Sequence, residues 1–326
     1  MQKSRRQSAA RWLGRASLLS LFLLACGSRT GLFVDDSSVV PPDDGGVVSD
    51  ARPDRRDVDV EVDGALPPID AGEEHDADRR DCPDADATLV YVISESNDLY
   101  SFDPPTASFK AIGQIACPAP PNTTPFSMAV DRKGVAYVLF NDGHLYRVST
   151  ATAACIGTSF VVGQQGFDTF GMGYATNDIG PTETLFVAGS RDQGNPTAAT
   201  GLAQINTTSF ALSKIGNFFP IIDRAELTGT GDGRLFAFYT KANVVGSFIG
   251  EIDTGTAQVT AETPLPTVEQ GQGWAFAFWG GDFYTFTAPT ATTRVTRYRP
   301  SDNSVTVVAN VGSLIVGAGV STCAPQ

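Results

Sequence analysis

Histidine is almost missing from this sequence: His75 and His144 are the only two in 326 residues. His75 sits in an acidic run and His144 in an Asn141-Asp142-Gly143-His144 turn, and neither has Cys, Asp or His partners at metal-site spacing. No Ser stands in a Gly-x-Ser-x-Gly elbow, and no glycine pair leads into a helix as a phosphate loop requires. No metal site and no cofactor is therefore expected. Bases are also few, 23 Lys and Arg against 36 Asp and Glu for a net charge of −13, which leaves nucleic acid without a basic footprint. Long apolar runs are lacking too. The one at Ala16–Ala25 would reach only about 15 Å as a helix, about half a bilayer's hydrocarbon core, and so does not serve as a transmembrane anchor.

That short run has a different use. Lys3, Arg5, Arg6, Arg11 and Arg15 precede it with no acid among them, the basic and apolar regions of a secretory signal spanning residues 1–25. Its end, Leu23-Leu24-Ala25-Cys26, resembles a bacterial lipobox. The resemblance implies that Cys26 receives a diacylglycerol and becomes the first residue of a mature lipoprotein, held to the membrane through its acyl chains. Gly27 stands where some Gram-negative lipoproteins carry an Asp that retains them at the inner membrane. The expected location is the outer membrane or cell surface.

Residues 26–86 read as a stalk. Between 28 and 86 there are 18 acids and 6 Arg, with Pro41-Pro42, Asp43-Asp44-Gly45-Gly46 and Pro67-Pro68 and almost no aromatic side chain. Such a segment buries too little apolar surface to offset its ordering entropy, and its charges repel, so a disordered, extended spacer is predicted. Asp59, Glu61, Asp63, Gly64 and Asp70 match a calcium-loop register, but Pro67-Pro68 fall inside it and the flanks are not helical. Diffuse cation binding is the plainer reading.

From residue 87 to 326 the pattern changes to short strands rich in Val, Phe, Tyr and Thr, punctuated by Gly, Asp, Asn and Pro, with no sustained helical period. An 11-residue block recurs: Leu99 to Phe109, Leu145 to Cys155, Leu202 to Leu212, Ile249 to Val259 and Val295 to Val305. Each is a strand, a polar turn and a second strand. A further element precedes most blocks: Phe126-Ser-Met-Ala129, Phe170-Gly-Met-Gly173, Glu226-Leu-Thr-Gly229 and Trp274-Ala-Phe-Ala277, with a small fourth residue suited to strands crowded at an axis. The unit is four antiparallel strands, and the fold class predicted is all-β, a β-propeller of five blades.

The first block lacks an inner strand, whereas Ile315-Val-Gly-Ala318 fits that pattern and has no block after it. The C-terminal strand is therefore predicted to complete the first blade and close the ring. Of the four cysteines left in an oxidising compartment, Cys82 and Cys323 flank that closure and are expected to pair, which leaves Cys117 for Cys155.

The runs Phe126-Ser-Met-Ala-Val-Asp-Arg, Arg224-Ala-Glu-Leu-Thr-Gly and Trp274-Ala-Phe-Ala-Phe-Trp-Gly-Gly-Asp-Phe-Tyr, with the terminal Val-Gly-Ala-Gly-Val-Ser-Thr-Cys, resemble uncharacterised bacterial lipoproteins that carry a propeller after an Asp/Pro-rich stalk. The resemblance supports the architecture and implies no activity. Two uses of the propeller remain. Phe126, Phe170, Trp274, Trp279, Arg224 and Glu226 are candidates for a rim that stacks on a glycan or clasps a peptide or partner protein. Alternatively, Asp168 and Glu226 are candidates for the paired carboxylates of a glycoside hydrolase or lyase. The bland readings are blade packing for the aromatic residues and an Arg224–Glu226 salt bridge for the charged pair. A non-catalytic binding or scaffold module is favoured.

Overall fold

The computed structural model of the protein describes residues 89–177, 181–189 and 200–326. Cys26, the signal segment, the stalk with its Asp59–Asp70 register, His75, Cys82 and Asp178 lie outside the described residues.

Strands form where Val, Ile, Phe, Tyr and Thr cluster between turn residues. In chain order they are β1 (Val90–Ser94), β2 (Asp98–Asp103) and β3 (Ser108–Gln114), followed by β4 (Pro125–Val130), β5 (Val135–Phe140), β6 (Leu145–Ser149) and β7 (Cys155–Gly157). Next come β8 (Phe170–Thr176), β9 (Glu183–Gly189), β10 (Gly201–Ile205) and β11 (Leu212–Gly216), then β12 (Asp223–Gly229), β13 (Leu235–Thr240), β14 (Ser247–Ile252) and β15 (Val259–Leu265). The last group is β16 (Trp274–Trp279), β17 (Asp282–Thr287), β18 (Thr293–Arg299) and β19 (Ser304–Val311), with β20 (Ile315–Val320) after it. They make five four-stranded antiparallel sheets, the blades of a β-propeller. Blades 2 to 5 follow chain order, and blade 1 is ordered β20-β1-β2-β3, so the C-terminal strand closes the ring. Val90 pairs with Val320 and Val92 with Ala318 in that closure.

The repeat is written into the backbone. Ala107, Ala153, Phe210, Ala257 and Asn303, the ninth residues of the five blocks, all take positive φ, at 52°, 60°, 56°, 64° and 58°. Each turns the outer hairpin of its blade. In three of them the amide donates to a carbonyl four residues back: Ala153 to Ser149 at 2.9 Å, Phe210 to Asn206 at 2.7 Å and Ala257 to Asp253 at 2.8 Å. The inner hairpin of blade 5 instead uses a two-residue loop, Gly280-Gly281, with φ of 60° and 78°. Two successive positive φ values are what a turn matched to strand twist demands, and glycine meets it without steric cost.

Among the described residues the core is divided into five clusters, one between each pair of neighbouring blades. The inner strands β20, β4, β8, β12 and β16 contact one another in ring order. Their closest approach is main chain to main chain. A Cβ on Gly171 would stand 2.1 Å from the Ala225 carbonyl oxygen, and one on Gly229 2.1 Å from that of Tyr174. The small residues of the inner-strand pattern are thus required by proximity. Cys117 and Cys155 form the expected disulfide. Cys323 is also disulfide-bonded, while Cys82, the partner expected for it, lies outside the described residues.

Candidate functional site

The rim at which the inner strands begin, called the upper rim below, gathers three of the residues singled out from sequence. Its geometry starts with a β-bulge in β12 between Asp223 and Glu226, where Arg224 has φ 51°. A non-glycine residue in the left-handed region costs free energy, and such strain concentrates where a side chain must be aimed. Here it aims the guanidinium over the Trp274 ring, 3.8 Å from the centroid. Arg224 Nη2 donates to the Gly271 carbonyl at 2.7 Å, and Gln270 Nε2 donates to the Arg224 carbonyl at 2.9 Å. Phe126, itself at a bulge in β4 between Pro125 and Ser127, meets Trp274 edge to face at 5.9 Å.

Two buried polar atoms beside this stack have no hydrogen-bond partner: the Trp274 Nε1 donor and the Gln270 Oε1 acceptor. A buried polar group left unmatched costs about 1–3 kcal/mol. The segment Gln270-Gly271 was not singled out from sequence. Its signal is Gly271, which takes φ 77° and must be glycine because a Cβ there would lie 1.9 Å from the Ala288 carbonyl oxygen.

The bulge also overturns the expected Arg224–Glu226 salt bridge. Residues i and i+2 share a face only in a regular strand, and the inserted residue breaks that alternation. Glu226 instead turns inward and is 2% exposed. Its Oε2 accepts from Ser127 Oγ of β4 at 2.8 Å, and its carboxylate also accepts the Met172 amide of β8. Pairing from the hairpin places Glu226 level with Ser127, not with Phe126 as the sequence repeat suggested, since Val130 and Gly229 each end their strand before a five-residue turn.

Among the described residues no cation lies within salt-bridge distance of Glu226, and burial holds its carboxyl well above the usual carboxylate range. The folded state keeps this proton while the unfolded chain releases it, so the stability tied to the neutral carboxyl is complete in acid and is lost as pH rises above 4.5. Glu226→Gln keeps the neutral shape and removes the linkage. In melting curves taken from about pH 4 to about pH 8, the variant is expected to gain on the parent as pH rises. Parallel curves would show that Glu226 is not the neutral group.

Phe170 is a correction. Expected at the rim, it is fully buried in the core between blades 2 and 3, edge to face with Phe160 at 5.8 Å, because β8 has no bulge at its start and the ring points into the blade interface. Trp279 closes β16 opposite Asp282, at the other end of the inner strands. Asp168 stays outside the stack: its carbonyl would lie 2.8 Å from a Cβ on Gly143 and its Oδ1 3.3 Å from one on Gly163, so it packs against turns. No hydrogen bond joins Asp168 to Glu226.

No protein-family model and no curated protein matches the chain. Among solved structures it is similar to a chain in the crystal structure of a nidogen/laminin complex, at 11% identity and a TM-score of 0.45 over 71% of this chain and 98% of that one. A protein of unknown function from Bacteroides caccae is similar at 12% identity and a TM-score of 0.41, over 70% of this chain and 84% of that one. A putative TolB from Agrobacterium tumefaciens follows at 11% identity and 0.39, over 74% and 82%. At these identities the likeness concerns the fold alone.

Proposed function

We propose that the protein is an exported lipoprotein, anchored through Cys26 and held off the membrane by its acidic stalk, whose propeller is a non-catalytic binding module taking a glycan, peptide or partner-protein segment at the upper rim. The observation that carries the reading is Arg224, held in a strained backbone conformation so that its guanidinium covers Trp274 beside an idle donor and an idle acceptor. A flat aromatic and cationic surface suits the face of a sugar ring or of a peptide segment. Binding is favoured over hydrolysis because Glu226 is out of a substrate's reach and has no second carboxylate joined to it. Glycoside hydrolysis needs two such groups across the bond.

The test is a glycan and peptide array probed with the full chain. Hits are expected, and Trp274→Ala or Arg224→Ala should weaken each by at least about tenfold, equivalent to about 1.4 kcal/mol. Hits indifferent to both substitutions would place the binding surface elsewhere. In cells, Cys26→Ser should lose lipid labelling and keep the same hits. Retained labelling would remove the anchor from the proposal.

A further inference from the structure

At the opposite end of the inner strands, about 17 Å along β4 from the upper rim, blades 2 and 3 enclose a cavity of about 870 Å³. Its charge runs against the rest of the chain. Arg132 and Lys133 come from the β4–β5 turn and Arg147 from β6, three cations on one cavity in a protein of net charge −13. Lys133 and Arg147 are exposed, and neither has a carboxylate within salt-bridge distance among the described residues.

The nearest acid, Asp131, attracts both Lys133 and Arg147 at longer range but is committed to its own turn. Asp131 Oδ1 accepts the Lys133 amide at 2.9 Å and the Val135 amide at 2.8 Å, a turn-forming use of the side chain. The walls add neutral polar groups. Tyr137 of β5 and Tyr174 of β8, ring centroids 5.8 Å apart, have interacting hydroxyls, and Thr207 of the β10–β11 turn reaches Tyr137.

We propose that this cavity is a second binding site, for a ligand bearing a carboxylate, sulfate or phosphate group, with Lys133 and Arg147 taking the anion and the Tyr137 and Thr207 hydroxyls its polar body. Two exposed cations with no salt-bridge partner among the described residues, on a polar cavity, form a charge-assisted site for oxyanions, and the hydroxyls can serve as donors or acceptors.

A pH dependence follows from Glu183 in the same cavity. Its Oε1 accepts the Arg132 amide at 2.8 Å and its Oε2 the Thr322 hydroxyl at 2.9 Å, while the Arg132 charge and Asp131 face it from the β4–β5 turn and Tyr174 from β8. Burial, opposed by these hydrogen bonds, pushes its carboxyl up to about 7. Above that pH Glu183 adds a negative charge that repels the ligand. Below it the charge is gone, so affinity rises as the solution is acidified through neutrality.

The experiment is titration calorimetry on the full chain with glucuronate, inorganic sulfate and inorganic phosphate, and with galactose as the uncharged comparison, at about pH 6 and about pH 8. At least one anion is expected to bind saturably and more tightly at the lower pH. Glucuronate ahead of both inorganic ions identifies a sugar acid as the source of the charge, and the reverse order identifies a free oxyanion. The Lys133→Ala, Arg147→Ala double variant should weaken binding at least tenfold with an unchanged melting curve, since both side chains are exposed. Glu183→Gln should abolish the difference between the two pH values for glucuronate and sulfate, whose own charge is constant over that range. Absence of binding by all three anions, galactose binding as tightly as glucuronate, or undiminished binding by the double variant would overturn the proposal.

Discussion

Gly229→Ala is expected to abolish folding or to lower stability by about 4 kcal/mol or more. A Cβ there stands 2.1 Å from the Tyr174 carbonyl oxygen, 2.6 Å from the Ala175 Cβ and 2.7 Å from the Ala175 Cα. Overpacking in a core ordinarily costs about 1–3 kcal/mol because a side chain can rotate away. Nothing here can rotate, since the obstructing atoms belong to the backbone of β8, which is paired to β9 and packed on β4. With total stabilities near 5–15 kcal/mol, the loss approaches the whole margin. Gly312→Ala is the control, because no atom lies within 4 Å of its Cβ position and it should be neutral within about 0.5 kcal/mol. Urea denaturation of both variants decides the matter. A Gly229→Ala midpoint equal to the control's would refute the close approach of β8 and β12.

Removing the Cys117–Cys155 disulfide with paired Ser substitutions should cost about 4 kcal/mol by the chain-entropy argument for a sequence separation of 38. For a domain of this size that corresponds to a melting temperature lower by roughly 8–16 °C. The position of the bond explains why the loss would concentrate locally. Cys155 opens β7, a three-residue outer strand, whereas the outer strands β3, β11, β15 and β19 run to 7, 5, 7 and 8 residues. The disulfide ties this shortest outer strand to the segment that leads into blade 2. Calorimetry of the parent and the paired-Ser variant, both without reductant, measures the total, and hydrogen exchange should show β7 opening before the rest of its blade. Uniform exchange across blade 2 would argue that the bond acts only on the unfolded chain.

The ring was legible in the sequence because its determinants are local and recur. Five blocks share a strand, a turn and a second strand, and the backbone confirms them at one position, from Ala107 to Asn303. The closure by Ile315–Val320 could be read because one block lacked an inner strand and one inner strand lacked a block. The site was legible only in part. Arg224, Trp274 and Phe126 do meet, but the bulges at Arg224 and Phe126 insert a residue that no comparison of repeats can see, and they separate Arg224 from Glu226. Phe170 looked equivalent to Phe126 for the same reason. The lower cavity needed three dimensions, since Arg132, Arg147 and Thr207 come from two blades and become neighbours only once those blades pack.

Blade 1 has a consequence for the order of events during synthesis. Its strands β1 and β20 are more than two hundred residues apart, so the contact that finishes the ring is also the one of greatest sequence separation. A chain made from its N-terminus must carry β1 with one open edge until the last strand arrives, and folding dominated by such distant pairing is slow. Throughout that wait the exposed edge can recruit a strand from another molecule. The same closure that covers the edge of β1 in the finished ring therefore leaves the unfinished one open to pairing with another chain.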